Sequence, residues 1–444
     1  MSSVLIKNGL LFNRGLSFES DILIKDGRLE KIAPSIDISA DIMIEAHGKW
    51  IMPGIIDDQV HFREPGLTYK ASIFTESRAA VAGGTTSFME MPNTKPSALT
   101  QDLLKQKYDI ASKDAWCNYS FFMGASNNNL EEVLKTDGKN VCGIKIFMGS
   151  STGDMLVDDA KALEALFSRV PILIATHCED EMTIVNNMAS YSKKIKEKMT
   201  ADYHPIIRNV EACFKSSSFA VDLAKKHGTR LHVLHISTMQ ELALFNNDLP
   251  LKDKKITSEA CVHHLYFNSK DYASLGNQIK CNPAIKDQEH GLEIFKALLD
   301  DRIDVIATDH APHTWAEKEE IYINAPAGLP LVQHSLNIML DFYWKGMISM
   351  EKIVEKMCHA PSDLFRIVDR GYLDEGAYAD VIILDPTRSW KVNKANILYK
   401  CGWSPLEGMS MKGKVTTTIV NGKVVYQDGA FTQSGLGSRL QFDI

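Results

Sequence analysis

No stretch of the 444 residues approaches eighteen consecutive apolar side chains, so no membrane-spanning helix is expected. Basic charge is also short: 49 Lys and Arg stand against 56 Asp and Glu, for a formal net charge of −7. That balance offers no broad positive field for phosphate backbones and excludes nucleic acid as an expected partner. The start, Met1-Ser-Ser-Val-Leu-Ile-Lys-Asn-Gly, lacks the basic segment, apolar stretch and small-residue cleavage site of a secretory signal. No G-x-G-x-x-G turn follows the first strand pattern, and no G-x-x-x-x-G-K-[ST] occurs, so neither a dinucleotide nor a P-loop nucleotide site is supported. The eight cysteines form no C-x-x-C pair and lie thinly spread, several in apolar runs. They read as buried reduced thiols, which implies a cytoplasmic setting. Internal repeats and low-complexity tracts are also missing.

What is present is globular: 45% hydrophobic and 24% charged residues, in a chain two to three times the commonest domain size. The first fifty residues read as short strands, Val4–Ile6, Asp21–Lys25 and Ile42–Glu45, separated by Asn8-Gly9, Asp26-Gly27 and His47-Gly48 turns. The last seventy look alike, with strands at Ala379–Leu384, Thr416–Val420 and Lys423–Tyr426 and a hairpin signal at Asn421-Gly422. Neither set buries a core alone, so the two are expected to pair. Between them, apolar strands alternate with helical patterns, the signature of a parallel α/β fold. Eight strand candidates occur: Ile55–His61, Thr86–Met91, Tyr119–Met123, Ile144–Met148, Ile172–His177, Leu231–Ile236, Ile256–Cys261 and Val305–Asp309. The expected architecture is an α/β fold, a (β/α)8 barrel over residues 53–368. A small β-sandwich subdomain formed by both termini, 1–52 and 369–444, flanks it. A doubly wound open sheet is the alternative.

Polar residues gather at the C-terminal ends of these strands, where a barrel carries its active site. They include His61, Lys145, His177, His235 and Asp309. Each alone has an ordinary structural explanation. Together, three imidazoles, a carboxylate and a lysine in an apolar run match a Zn²⁺ centre of the catalytic kind. Desolvation lowers the pKa of a buried lysine, and its neutral amine can add CO2 to become a carbamate able to bridge two cations. Asp309 is then the general base beside a metal-bound hydroxide. His232, three residues before His235, is expected on the opposite face of its strand, and His263 and His264 are read as structural.

These residues carry a resemblance. His-Phe-Arg-Glu-Pro-Gly at 61–66, Ala-Gly-Gly-Thr-Thr at 82–86 and Met-Pro-Asn-Thr at 91–94 resemble the signatures of class I dihydroorotases in the amidohydrolase superfamily. Cys-Asn-Pro-Ala-Ile-Lys at 281–286 and Thr-Asp-His-Ala-Pro-His at 308–313 are similar to two further motifs of that family. The resemblance runs nearly end to end. It implies reversible cyclisation of N-carbamoyl-L-aspartate to L-dihydroorotate in pyrimidine (UMP) biosynthesis, one or two Zn²⁺ per chain and a carbamylated Lys145. It also implies that Arg63, Asn93, Asn282, His313 and the Ala327-Gly328 backbone hold the substrate. A homodimer is the expected assembly. Asp154 competes with Lys145 for the bridging position. The departure is Gln59, which stands where the family has the first histidine of His-x-His; an amide oxygen is a poorer Zn²⁺ ligand. Asp57, two positions earlier, is a candidate to compensate. Two alternative functions follow: an inactive homologue retained as assembly partner of another pyrimidine-pathway enzyme, or an allantoinase- or hydantoinase-type cyclic amide hydrolase. The loop Ser150–Met155 and the segment His313–Pro326 are candidate lids.

Overall fold

The computed structural model describes residues 3–149, 153–195, 198–432 and 434–444. Five strands open the chain: β1 (Ser3–Asn13), β2 (Leu16–Lys25), β3 (Arg28–Ala33), β4 (Ile42–Glu45) and β5 (Trp50–Pro53). Asn8, Arg14 and Asp26 take the left-handed conformation where the β1–β3 meander bulges or turns. β1 pairs along one edge with β2; along the other its first half pairs with β4 and its second with β5.

The middle of the chain supplies parallel strands: β6 (Ile55–Val60), β7 (Thr85–Glu90), β8 (Asn118–Phe121), β9 (Met123–Gly124), β10 (Ile144–Phe147), β11 (Ile174–His177), β12 (Leu231–Val233), β13 (Ile256–Cys261) and β14 (Val305–Ala307). They form a three-stranded sheet, β6-β7-β8, and a six-stranded sheet, β9 through β14 in sequence order. The two sheets meet at both edges. Only Phe122 separates β8 from β9, its N–H bonding Glu90 O while Met123 N bonds Gly143 O. At the far side Val60 bridges His310, and His61 N donates to His310 O at 2.7 Å. Helices such as Ile73–Ala82, Ala160–Arg169, Val210–His227 and Gln288–Leu299 connect successive strands. The 210–227 helix shows why they start and stop where they do. The Asn209 side chain accepts Ala212 N–H, Lys225, Lys226 and His227 face the negative end, and Gly228 closes it at φ 68°.

Four strands end the chain: β15 (Val381–Lys391), β16 (Ser410–Val420), β17 (Lys423–Gln427) and β18 (Ala430–Phe431). β15 pairs antiparallel with β5, so both chain ends share one nine-stranded sheet. Its own core draws on Val4, Ile6, Ile22, Ile51, Val381, Ile383 and Ile419. The sequence predicts that the two ends pair as a small β-sandwich; they share one nine-stranded sheet instead, which also takes in β3, of mixed composition, and β5, four apolar residues too short to show alternation.

Register corrects one expectation. Lys145 pairs with Ala175, Ala175 with His232, and His232 with Thr257, so all four side chains share a face. His232 therefore lies on the same side as Lys145, not the opposite one. β12 ends at Val233, and His235 takes φ 38°, which turns it back to that side despite the three-residue spacing.

Candidate functional site

Eleven of the twelve candidate residues line one cavity of about 90 Å³: Gln59, His61, Arg63, Asn93, Lys145, His177, His235, Asn282, Asp309, Ala327 and Gly328, joined by Phe147 and Ala311. That is room for several waters. Arg63, His235 and Asp309, each two or three residues past a strand end, have positive φ (70°, 38° and 46°), a strain that surrounding structure must hold. Gly66 helps to hold it. At φ 82° it passes so close to Lys95 that a Cβ would sit 1.9 Å from the carbonyl oxygen, which fixes the turn after Arg63.

The three imidazoles stand in two groups, His61 between Asn93 and Asp309, and His177 beside His235. His61 Nδ1 lies 2.8 Å from Asn93 Oδ1 and Nε2 lies 3.0 Å from Asp309 Oδ1. With the ring neutral, as burial favours by lowering its pKa, Nδ1–H donates to Asn93 and the Nε2 lone pair faces a carboxylate oxygen. Two electron pairs opposed at 3.0 Å are the arrangement of two ligands for one cation. His177 donates Nε2–H to Glu179 Oε2 at 2.9 Å, and its Nδ1 lies 3.0 Å from His235 Nε2. His235 Nδ1 has no partner. Burial holds the pKa of both rings down, His235 well below the usual value. Burial alone would raise Glu179, but Arg208 Nη1 at 2.6 Å and His177 keep it well below the usual carboxylate range.

Lys145 is 1% exposed, and its Nζ has no hydrogen-bond partner. Burial brings it down to about 7, against the pull of Glu259 and Asp309. Its Nζ sits 4.6 Å from the Phe147 ring centroid. Asp154 is exposed, in a turn at Gly153–Met155, and does not line the cavity. Residues 150–152 of that candidate lid lie outside the described residues. Orphaned buried nitrogens, opposed lone pairs and an unpaired amine fit a cation site.

Gln59 bridges two groups: Nε2 donates to Asp309 Oδ1 at 3.3 Å and Oε1 accepts from Cys261 Sγ at 3.7 Å. Asp57 does not compensate. Its Oδ2 accepts Thr308 Oγ1–H at 2.6 Å and its Oδ1 accepts the Thr308 and Gln59 N–H groups, a latch between β6 and the segment after β14.

Arg63 is 8% exposed and makes no ion pair among the described residues. Nε donates to Pro312 O at 3.1 Å, and Nη2 lies 3.1 Å from His313 Nε2. The two carboxylates nearest in sequence are committed elsewhere: Glu64 accepts Ile73 N–H, and Asp57 is latched to Thr308. His313 is the one candidate outside the cavity lining. Lys70 Nζ donates to its Nδ1 at 2.8 Å and its Nε2 donates to Ala327 O at 3.0 Å, so it fixes the wall rather than forming it. Lys318 does the same from behind, donating to Pro326 O and Gly328 O, both at 2.9 Å. The segment after His313 is thus pinned. His204 Nε2 reaches Cys281 O at 2.8 Å and Asn282 Oδ1 at 3.1 Å, which orients Asn282. Sequence reasoning missed Glu179, Arg208, His204 and Lys318. Only Glu179 carried a signal, two residues beyond His177 on an extended segment.

Residues 50–425 match the model of the amidohydrolase family. The chain is 33% identical over 426 residues to a dihydroorotase of Pyrococcus furiosus, covering 96% of this chain and 93% of that one. It is equally identical over 438 residues to a dihydroorotase of Aquifex aeolicus, covering 96% and 100%. Among solved structures, an L-hydantoinase (dihydropyrimidinase) from Arthrobacter aurescens superposes with a TM-score of 0.93 at 27% identity, covering 99% of this chain and all of that one. With the family model spanning most of its length and the catalytic-type cavity at its strand ends, the chain belongs to the amidohydrolase family.

Proposed function

We propose that the chain is a dihydroorotase, a metal-dependent hydrolase of cyclic amides that interconverts N-carbamoyl-L-aspartate and L-dihydroorotate in pyrimidine synthesis. The near full-length identity to dihydroorotases supports this. One structural observation carries the substrate assignment. Arg63 is a buried guanidinium with no direct ion pair among the described residues, attracted only at longer range by Asp309, Glu90 and Glu317, and a ligand carboxylate would relieve that burial through a charge-assisted fork. Dihydroorotate has that carboxylate; the rings of hydantoinase and allantoinase substrates do not. Asn93, Asn282 and the Ala327-Gly328 backbone, held by His313 and Lys318, line the rest of the ring's pocket.

His61, Lys145 as its carbamate, His177, His235 and Asp309 would hold one or two Zn²⁺ ions, with Gln59 a weak ligand. The cation, when bound, supplies Lewis acidity to a carbonyl and lowers the pKa of water. In ring opening, Asp309 takes the proton of the attacking water and returns it to the departing ring nitrogen. In ring closure, the carboxylate takes up one proton from solvent, and Asp309 takes the ureido N–H proton and returns it to the departing hydroxyl, which leaves as water. Arg63 orients the substrate for both directions. The parallel strands 55–307, meeting at both edges, support a closed eight-stranded barrel over 53–368, flanked by a subdomain of 1–52 and 369–444. Small-molecule turnover in the cytoplasm, by a homodimer, is the expected setting. No helix among the described residues is long and apolar enough to cross a membrane.

The test is zinc analysis paired with a dihydroorotate ring-opening assay on the parent and on Asp309→Asn. We expect the variant's kcat to fall about 10²–10⁴-fold. Zinc content should barely change. Persistent activity at a tenth of the parent value removes Asp309 from proton transfer; a zinc-loaded parent inert to dihydroorotate overturns the function.

A further inference from the structure

Two other groups of buried side chains stand close enough to share a cation: Asp58, His232 and Glu259, and Cys261, His263 and His264. The first already holds an internal cation, because His232 Nε2 pairs with Asp58 Oδ2 at 3.3 Å and Glu259 Oε2 at 3.4 Å, although the Asp58 oxygens make no hydrogen bond among the described residues. The second does not. His263 is fully buried and neither ring nitrogen has a hydrogen-bond partner; His264 Nδ1 has none either. Burial and the adjacent ring push His263 well below the usual imidazole range, with only the Thr308 backbone pulling the other way. Both rings are thus neutral; His264 Nε2 donates to Pro283 O at 3.0 Å, which leaves its Nδ1 lone pair, like that of His263, without a hydrogen-bond partner among the described residues.

We propose that Cys261, His263 and His264 form a thiolate–imidazole site for a divalent cation of zinc-like softness, separate from the ligand set around Asp309 and touching it through Gln59. Cys261 ends β13, and the two histidines open the short helix Val262–Tyr266 that follows, so one reversal of the chain presents all three. Their ligand atoms lie within 4.8 Å of one another. Zn–S and Zn–N bonds of roughly 2.0–2.3 Å need them about 3.3–3.8 Å apart, a closing that side-chain rotation supplies. Binding breaks the Cys261 S–H bond and forms a sulfur–metal bond, and the proton leaves to solvent. Glu259 Oε1 at 3.5 Å and Gln59 Oε1 at 3.7 Å, both now accepting from Cys261 Sγ, are the oxygens at hand for a fourth ligand. The site does not depend on the substrate assignment: failure of ring opening leaves its spectroscopic signature untouched.

The probe is Co²⁺, titrated into metal-stripped, thiol-reduced full-length protein. A thiolate ligand gives a near-ultraviolet sulfur-to-cobalt charge-transfer band, which oxygen and nitrogen ligands do not. The expected result is such a band, saturating at one equivalent, lost in Cys261→Ser together with one equivalent of bound metal. His263→Gln should lose the same equivalent. Cys281→Ser should keep the band, although Cys281 Sγ lies 4.0 Å from His264 Nε2 on its other side. No band in the parent protein, a band that survives Cys261→Ser, or one lost in Cys281→Ser overturns the proposal. Cobalt-edge X-ray absorption of the unmutated protein reads the sulfur neighbour directly. It decides the matter by its presence or absence if a variant does not fold.

Discussion

Two layers of polar side chains occupy the same face of the same parallel strands, and they are built on opposite principles. In the deeper one, Asp58, His232 and Glu259 answer one another. His232 is held up to about 9 because, although burial works against the charged ring, the two carboxylates outweigh it. Its Nδ1 also bonds Thr257 Oγ1 at 2.9 Å. In the outer layer, Lys145 Nζ and His235 Nδ1 have no hydrogen-bond partner and Arg63 has no direct ion pair among the described residues. Burial is nearly complete in both, so solvent does not explain the difference. The deeper layer is charge-balanced within the chain; on the function proposed above, the outer one is completed by a cation and a substrate. Unsatisfied groups cost stability, and the fold tolerates them where chemistry needs them.

Removing one titratable group from each layer separates the two. Lys145→Met keeps the shape and removes the unpaired amine. Ring opening should fall by about a thousandfold or more, while the urea midpoint stays level or rises, because an orphaned buried donor costs about 1–3 kcal/mol. A large drop in the midpoint would mean that Lys145 is a structural residue. His232→Gln should do the reverse, costing about 3–5 kcal/mol in denaturant unfolding by leaving two buried carboxylates without their cation. That cost has a pH signature. The folded-state pKa of His232 lies above its unfolded value, so its stabilisation is full below about 6.5 and is lost as pH rises through about 9. The gap between parent and variant should close over that window, and a gap constant with pH would show His232 neutral in the fold. Glu179→Gln, which removes the negative charge of the acceptor that fixes the His177 ring, should weaken zinc affinity about 10–100-fold in a competition titration, with the fold unchanged. Smallest of all, Gln59→His should raise the zinc retained after dialysis towards two per chain at the cluster around Asp309. No increase would mean that the neighbours of Gln59 already complete that cluster.

Much of this was legible in the sequence, because alternation along an extended chain is a strict rule. Lys145 amid Ile144 and Ile146, and His177 at the end of an apolar run, could be placed on a common face from the pattern alone. The same rule failed at His232, because a three-residue spacing reports opposite faces only while the strand continues, and β12 stops at Val233. The isolation of Arg63 could not be read at all. It depends on Glu64 turning away to cap Ile73, a contact decided by how the chain leaves β6. Cys261 beside Gln59 joins residues 202 positions apart, and no local pattern records that neighbourhood.

The seam between β5 and β15 also has a bearing on biosynthesis. β5 leaves the ribosome long before β15 exists, and at roughly 5–20 residues per second the wait lasts some tens of seconds. During that interval β5 offers an open edge to any passing strand. A message truncated ahead of Val381 would make that exposure permanent, so nonsense variants near the end of the reading frame should yield insoluble chains rather than a shortened enzyme.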